Sequence, residues 1–516
     1  MGSQLFARKS IKQLLEEAQG DNRLRRILGP VQLTSLGVGC VIGAGIFVIT
    51  GRAAHDTTGP ALMLSFVVAG FACIFAALCY AEFASMAPVA GSAYTYAYAT
   101  MGELFAWIIG WDLVLEYSVA AATVAHGWSA HFQEFLRTLH ITIPSALAAA
   151  PFDEFGKLKP SHPILDLPAI LISVIVTMVL VKGIRESATF NTAMVIIKVA
   201  TVFFVIAVGA FYVNPNNWHP FAPYGYTGIS FFGHTIAGQT KGGLPGGIPL
   251  GMLSGAAIIF FAYIGFDSVS THAEEAKNPQ RDVPIGIIVS LVLCTLLYIA
   301  VSAVLTGMVP YDKISIGAPV ADAFRQVGLP WAEFLISLGA LTGITSVLLV
   351  LMLSQPRVML AMARDGLVPI GFFGAVHPKF RTPWKSTILT GVFVAVLSGL
   401  LPLQILSDLV NIGTLLAFVM VCAAVLIMRK TDPHAVRPFR CPWSPMVPIL
   451  GMGICLLLMF SLPTINWWRL FIWLAIGMVI YIGYGRRHSI MARPKSATPK
   501  GFPVVADEPV PAPEVA

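Results

Sequence analysis

Ser35-Leu36-Gly37-Val38-Gly39-Cys40-Val41-Ile42-Gly43-Ala44-Gly45-Ile46-Phe47 is an apolar stretch interrupted by four glycines. The hydrophobic run that contains it begins near Val31, so Gly43 to Gly45 sits about 13 residues in, close to the middle of a bilayer at ~1.5 Å per residue. Glycine there lowers the cost of leaving helical geometry. Unwound backbone is tolerated at that depth only where it lines a cavity inside the protein. The amides that open the following half-helix then aim a partial positive charge at whatever fills the cavity, and a carboxylate suits them. Small residues also let helices pack closely, and this segment alone is compatible with either use. A dinucleotide fingerprint is excluded, because no strand precedes the glycines and the spacing is GxGxxxG.

The rest of the chain has the character of that run. Of 516 residues 56% are hydrophobic and 11% are charged, against about 25% charged in soluble domains. The chain is therefore expected to be an all-α polytopic membrane protein. Apolar runs at about 31–54, 61–87, 102–129, 164–182, 189–213, 248–273, 284–308, 331–358, 385–402, 405–428, 446–464 and 467–484 predict twelve transmembrane helices. The runs are apolar all round, which excludes barrel strands. With the N-terminus inside, 24 Lys and Arg fall on the inner side and 8 on the outer, and Lys198 lies within a span. That asymmetry predicts cytoplasmic termini and a cell-membrane location. It also accounts for the net charge of +7 without any nucleic-acid partner. Residues 1–30 read as a cytoplasmic amphipathic segment and not as a cleavable signal, and 485–516 as a disordered cytoplasmic tail. The seven cysteines lie almost all in apolar runs without CxxC spacing, so free buried thiols are expected.

A second break is predicted in span six, at Phe260-Phe261-Ala262-Tyr263-Ile264-Gly265-Phe266-Asp267-Ser268. Broken first and sixth spans are what two inverted five-helix repeats produce, at 31–213 and 248–428, separated by an extracellular loop at 214–247 and followed by two extra helices at 429–484. Bare carbonyls around Phe261, Ala262 and Ile264 would accept from an ammonium, opposite amides at Ile42, Gly43, Ala44 and Gly45 that hold a carboxylate. The ligand so described is an L-amino acid. Asp267 is more readily read as an N-cap of the second half-helix than as a substrate contact.

Five stretches carry a family resemblance: GVGCVIGAGIF (Gly37 to Phe47), Pro88-Val89-Ala90-Gly91-Ser92-Ala93-Tyr94, FFAYIGFDSVSTHAEEAKNPQRDVPIGI (Phe260 to Ile287), RVMLAMARDGLVP (Arg357 to Pro369) and LVNIGTLLAF (Leu409 to Phe418). Together they resemble the amino acid-polyamine-organocation transporters, and among these the bacterial members of the cationic amino acid transporter family. The resemblance spans about residues 30 to 485. It implies twelve helices with a five-plus-five inverted repeat, alternating access and amino acid cargo. It places Ala44 and Gly45 at the carboxylate-binding amides and Phe261, Ala262 and Ile264 at the segment that takes the amino group, with Phe261 also a gating aromatic.

Two deep charges complete the expectation. Lys198 lies about ten residues into span five, roughly 15 Å deep, where a lysine costs about 2.5 kcal/mol or more and by default marks an ion or proton pathway. The resemblance puts it where sodium-coupled cousins bind their ion, which implies proton coupling. Thr342, Thr345 and Ser346 of span eight are its possible partners; each also suits plain helix contacts. Glu116, about 14 residues into span three, is the second proton-coupling candidate, and the resemblance places a glutamate there. Glu274 and Glu275 could meet Arg357 or Arg364 in an inner gate, or simply form a solvated loop.

No cofactor or metal is expected. HExxH, GxSxG and GKS/GKT patterns are absent, and His126, His131, His219 and His234 lack ligand spacing. These absences disfavour an enzyme, and the lack of a repeated filter segment disfavours a channel. A proton-coupled permease leads; an amino acid/polyamine exchanger and a sodium symporter are the alternatives. Cationic and small neutral substrates remain equally open.

Overall fold

The computed structural model describes residues 5–10, 28–88, 92–153, 156–160, 163–182, 187–231, 234–241, 248–273, 276–377, 380 and 382–492. Most of the N-terminal segment, the tail after Ala492, Val89 to Gly91 and the acidic pair Glu274 and Glu275 lie outside these residues, and with them the expected inner gate.

Twelve rods follow the predicted spans. They are α1 (Pro30–Val41, resuming through Gly45–Ile49, Thr50–Ala53 and Ala54–Thr58), α2 (Leu62–Met86), α3 (Glu103–Thr138), α4 (Leu167–Lys182), α5 (Ser187–Gly209) and α6 (Met252–Ile259, then Phe260–Tyr263 and Ser268–Thr271). The second six are α7 (Pro279–Met308), α8 (Pro330–Arg364), α9 (Trp384–Leu400), α10 (Leu403–Thr431), α11 (Met446–Phe460) and α12 (Thr464–Ile480). From Pro30 to Met86 the chain is helical, apart from the break at Ile42 and Gly43, over 57 residues, about 85 Å if straight and far more than a bilayer. Gly59, at φ +61°, divides it into α1 and α2.

The outer helices are apolar toward the outside. Leu171, Val174, Ile175 and Met178 of α4 are exposed, as are Trp468, Ile472, Ile476 and Val479 of α12. Stripes of this size at i, i+3, i+4 spacing would aggregate in water and are stable against acyl chains. Inside, α7 packs on α2 and α1 while α6 packs on α2; a second group pairs α8 and α10 with α3, and α9 with α4. The site lies where the two groups meet.

Small departures from an all-helical reading occur between α5 and α6. Ile229–Phe231 pairs with His234–Ala237, and Gln239–Lys241 with Ile248–Leu250, as two antiparallel ribbons. Gly238, at φ +100°, turns the chain between them, in a segment too rich in Gly and Pro to continue a helix. All seven cysteines are buried and free. Residues at both ends of the described chain meet at one pole: Glu103 N–H donates to Ala7 O (3.1 Å), Ile490 N–H to Asp365 O (3.0 Å), and Ser489 Oγ donates to Glu103. An even number of crossings requires this.

Candidate functional site

Helix α1 stops after Val41. Ile42 turns extended (φ −73°, ψ 106°), Ala44 returns to helical angles, and Gly45–Ile49 follows as a widened π turn. Helix α6 tightens to a 3-10 turn over Phe260–Tyr263 and leaves helical geometry at Ile264 (φ −60°, ψ 135°). Gly265 then sits at φ +111°, a conformation that favours glycine. Both breaks therefore fall within the two stretches where the sequence predicted them. They also touch: a Cβ on Gly45 would lie 2.3 Å from Ala262 Cα. The glycine run breaks the helix and packs it closely, so the two readings were not alternatives.

Between the breaks is a cavity of ≈ 10 Å³, room for about one water. Gly43, Ala44, Gly45, Phe261 and Ile264 line it, with Ala120 and Val124 of α3 and Val347 and Leu351 of α8. No charged side chain is among the lining residues. Ile42 and Ala262 are not among the lining residues. An amino acid is larger than this space, so its entry requires the two helix groups to separate.

The carbonyls are less bare than the sequence suggests. Phe261 O accepts the Ile264 N–H at 3.2 Å. Ala262 O lies 3.0 Å from Tyr298 Oη of α7, which is also 2.8 Å from Val41 O, so one hydroxyl serves the carbonyls beside both breaks. Ile264 O takes no hydrogen bond among the described residues. Asn411 of α10 donates to Ala257 O (2.9 Å) and Ile258 O (3.0 Å), holding α6 just before it unwinds. Sequence reasoning missed Tyr298 and Asn411; a polar side chain inside an apolar run was the available signal, since each must find a partner there.

Lys198 is fully buried on α5. Its Nζ donates to Gly39 O of α1 and, at 2.7 Å, to Ser346 Oγ of α8. One amine thus ties three helices together three residues before the α1 break. Of its predicted partners, only Ser346 is in place. Thr345 donates to Leu341 O (2.7 Å) and accepts from Trp128 Nε1 (3.0 Å), and Thr342 donates to Gly339 O (2.9 Å). Ser346 and Lys198 face each other from α8 and α5; Thr345, one position earlier, is rotated about 100° away, whereas Thr342 shares the Ser346 face but sits a full turn along α8 and bonds within its own helix.

Glu116 is buried on α3, and its Oε1 finds no partner among the described residues. It neighbours Asp112, Asp267 and Thr414 of α10; it does not itself line the cavity, although Ala120, one turn further along the same face of α3, does. Asp267 is not the expected cap: it makes no side-chain cap bond, and its Oδ2 accepts from Tyr117 Oη at 2.5 Å.

A buried ion pair lies toward each end. At the pole carrying the described termini, Lys9 Nζ lies 2.7 Å from Asp365 Oδ1, and Tyr94 Oη donates to Asp365 Oδ2 at 2.6 Å. Toward the opposite pole, Arg52 of α1 holds Asp408 of α10 in a two-pronged pair (2.7 and 3.1 Å) and donates to Ser407 Oγ at 2.6 Å. Arg52 and Asp408 are each 6% exposed. Breaking such a pair costs about 3–5 kcal/mol because a buried charge loses its partner. Arg52→Ala is therefore expected to shift the balance toward a cavity open at that pole by about a hundredfold to a few thousandfold. The labelling rate of Cys40, which lines the cavity, by a small impermeant thiol reagent checks this; an unchanged rate would show that the pair does not gate.

Comparison with known proteins agrees with this geometry. Residues 28–482 match the sequence model described as amino acid permease. The chain is 47% identical over 490 residues to a branched-chain amino acid permease of Bacillus subtilis, covering 95% of this chain and 99% of the relative. It is 45% identical over 489 residues to a methylthioribose transporter of the same organism, with equal coverage. To the vacuolar cationic amino acid transporter 4 of Arabidopsis thaliana it is 39% identical over 434 residues, 84% of this chain and 68% of the relative. These relatives are transporters and not enzymes, and a multi-pass helical chain accords with that. The chain belongs to the amino acid permease family, within the amino acid-polyamine-organocation transporters.

Proposed function

We propose that this permease imports neutral aliphatic L-amino acids together with protons, in the cell membrane, with both termini in the cytoplasm. Two inverted repeats, 31–213 and 248–428, would rock against each other about the paired breaks. The observation that carries the substrate class is the apolar lining. Phe261, Ile264, Val347 and Leu351 offer hydrocarbon to a side chain, and no lining carboxylate awaits an ammonium or guanidinium. Burying such a charge unpaired costs more than the apolar contacts return. The branched-chain relative supports the same class.

In this reading the substrate carboxylate meets the amides of Gly43 to Gly45, and its ammonium meets the Ile264 carbonyl. Lys198 couples the cycle. Protonated, it makes charge-assisted bonds to Gly39 and Ser346 that hold the first half of α1 against α5 and α8. Loss of the proton weakens both bonds and frees that half-helix to swing. Glu116 is a second proton carrier, relaying between α3 and the Asp267 side of α6.

A competition screen tests the substrate class. Valine, leucine or isoleucine at a hundred times Kd should stabilise the purified protein by about 2.7 kcal/mol, and arginine and lysine should not. Stabilisation by arginine would overturn the neutral assignment. Stabilisation by methylthioribose alone would place the chain with its thiosugar-transporting relative. Uptake into substrate-free vesicles, driven by a pH gradient without sodium, tests the coupling.

A further inference from the structure

We propose that a groove between α7 and the segment joining α10 to α11 binds an anionic phospholipid of the leaflet on the side of the chain's described termini. The groove measures ≈ 320 Å³, within the range of small-molecule sites. One wall is Pro284, Ile285, Ile288 and Val289; the other is Pro438 and Phe439. Gln280 and Arg281 stand at its polar end. That end lies beside the start of α1, because Lys277 N–H donates to Leu28 O at 2.8 Å.

Two observations select the occupant. The apolar wall continues along α7 as Val289, Val292, Leu293 and Leu296, all exposed, at the spacing of one helix face. A chain lying in the groove therefore passes directly into the bilayer, which suits an acyl tail and no water-soluble ligand. At the other end Arg281 is exposed in the first turn of α7, and its guanidinium forms no ion pair among the described residues. Hydrocarbon below and an exposed cation at the level of the lipid headgroups match a phospholipid with net negative charge. The positive pole of α7 adds to the attraction.

Native mass spectrometry of the full-length protein in neutral detergent, titrated with phosphatidylglycerol or phosphatidylcholine, tests this. Phosphatidylglycerol should bind about fivefold more tightly, the effect of one arginine at a membrane surface. Arg281→Gln should remove the preference and Arg281→Lys should retain it. Ile288→Trp, which fills the groove, should weaken both lipids. Circular dichroism and the unfolding midpoint in phosphatidylcholine confirm that each variant is folded. Equal binding of the two lipids by the parent protein overturns the proposal, as does a preference that survives Arg281→Gln. A two-chain particle dissociated by Ile288→Trp would assign the groove to a second copy instead.

Discussion

Lys198→Met is expected to abolish proton-driven accumulation, so that the internal substrate concentration in vesicles rises no higher than the external one, while exchange of labelled for unlabelled substrate continues. Methionine keeps an unbranched apolar stem in a fully buried position and removes only the amine. Lys198→Ala should uncouple in the same way, with an added loss of stability of about 2–5 kcal/mol for the space it leaves. Ser346 retains its own bond to Gly343 O at 2.9 Å, so the Gly39 carbonyl is the group left short. That carbonyl lies just before the point where α1 unwinds, which is why the effect should fall on coupling and not on substrate recognition. Unchanged accumulation by a folded Lys198→Met protein would remove Lys198 from the coupling role.

Gly45→Leu should eliminate saturable substrate binding altogether. Its Cβ would stand 2.3 Å from Ala262 Cα and 2.5 Å from Ala262 Cβ. The first of these atoms belongs to the backbone, which cannot rotate away as a side-chain tip does. The two breaks must then separate, carrying the α1 amides away from the α6 carbonyls that complete the proposed site. Overpacking by a single methylene already costs about 1–3 kcal/mol, and leucine adds four carbons. Gly453 in α11, where an added Cβ meets nothing within 4 Å, supplies the control: Gly453→Ala should bind as the parent does. Normal binding by Gly45→Leu would show that the breaks do not form the substrate site.

Much of this was legible along the chain because it depends on local cost. A glycine-rich stretch at mid-span weakens one helix whatever surrounds it, so Gly43 to Gly45 could be named as a break from composition and depth, and Phe260 to Ser268 from its place near the middle of span six. Lys198 could be singled out because an ammonium in hydrocarbon is expensive in any fold. The twelve rods follow from apolar length alone, with ends displaced by several residues where a helix continues past the hydrocarbon, as α3 does to Thr138.

What the chain could not reveal is which groups meet. Thr342, Thr345 and Ser346 are indistinguishable as hydroxyls in an apolar run; the rotation and depth of α8 against α5 together bring only Ser346 to the amine. Tyr298 reads as one more aromatic in α7 until packing brings the Val41 and Ala262 carbonyls to its hydroxyl. Arg52 and Asp408 are 356 positions apart and become a pair only when α1 and α10 converge. Hydropathy and backbone propensity are properties of a few consecutive residues, so they are written in the sequence itself. Directional contacts between distant segments depend on helix rotation and depth, which only the assembled bundle sets.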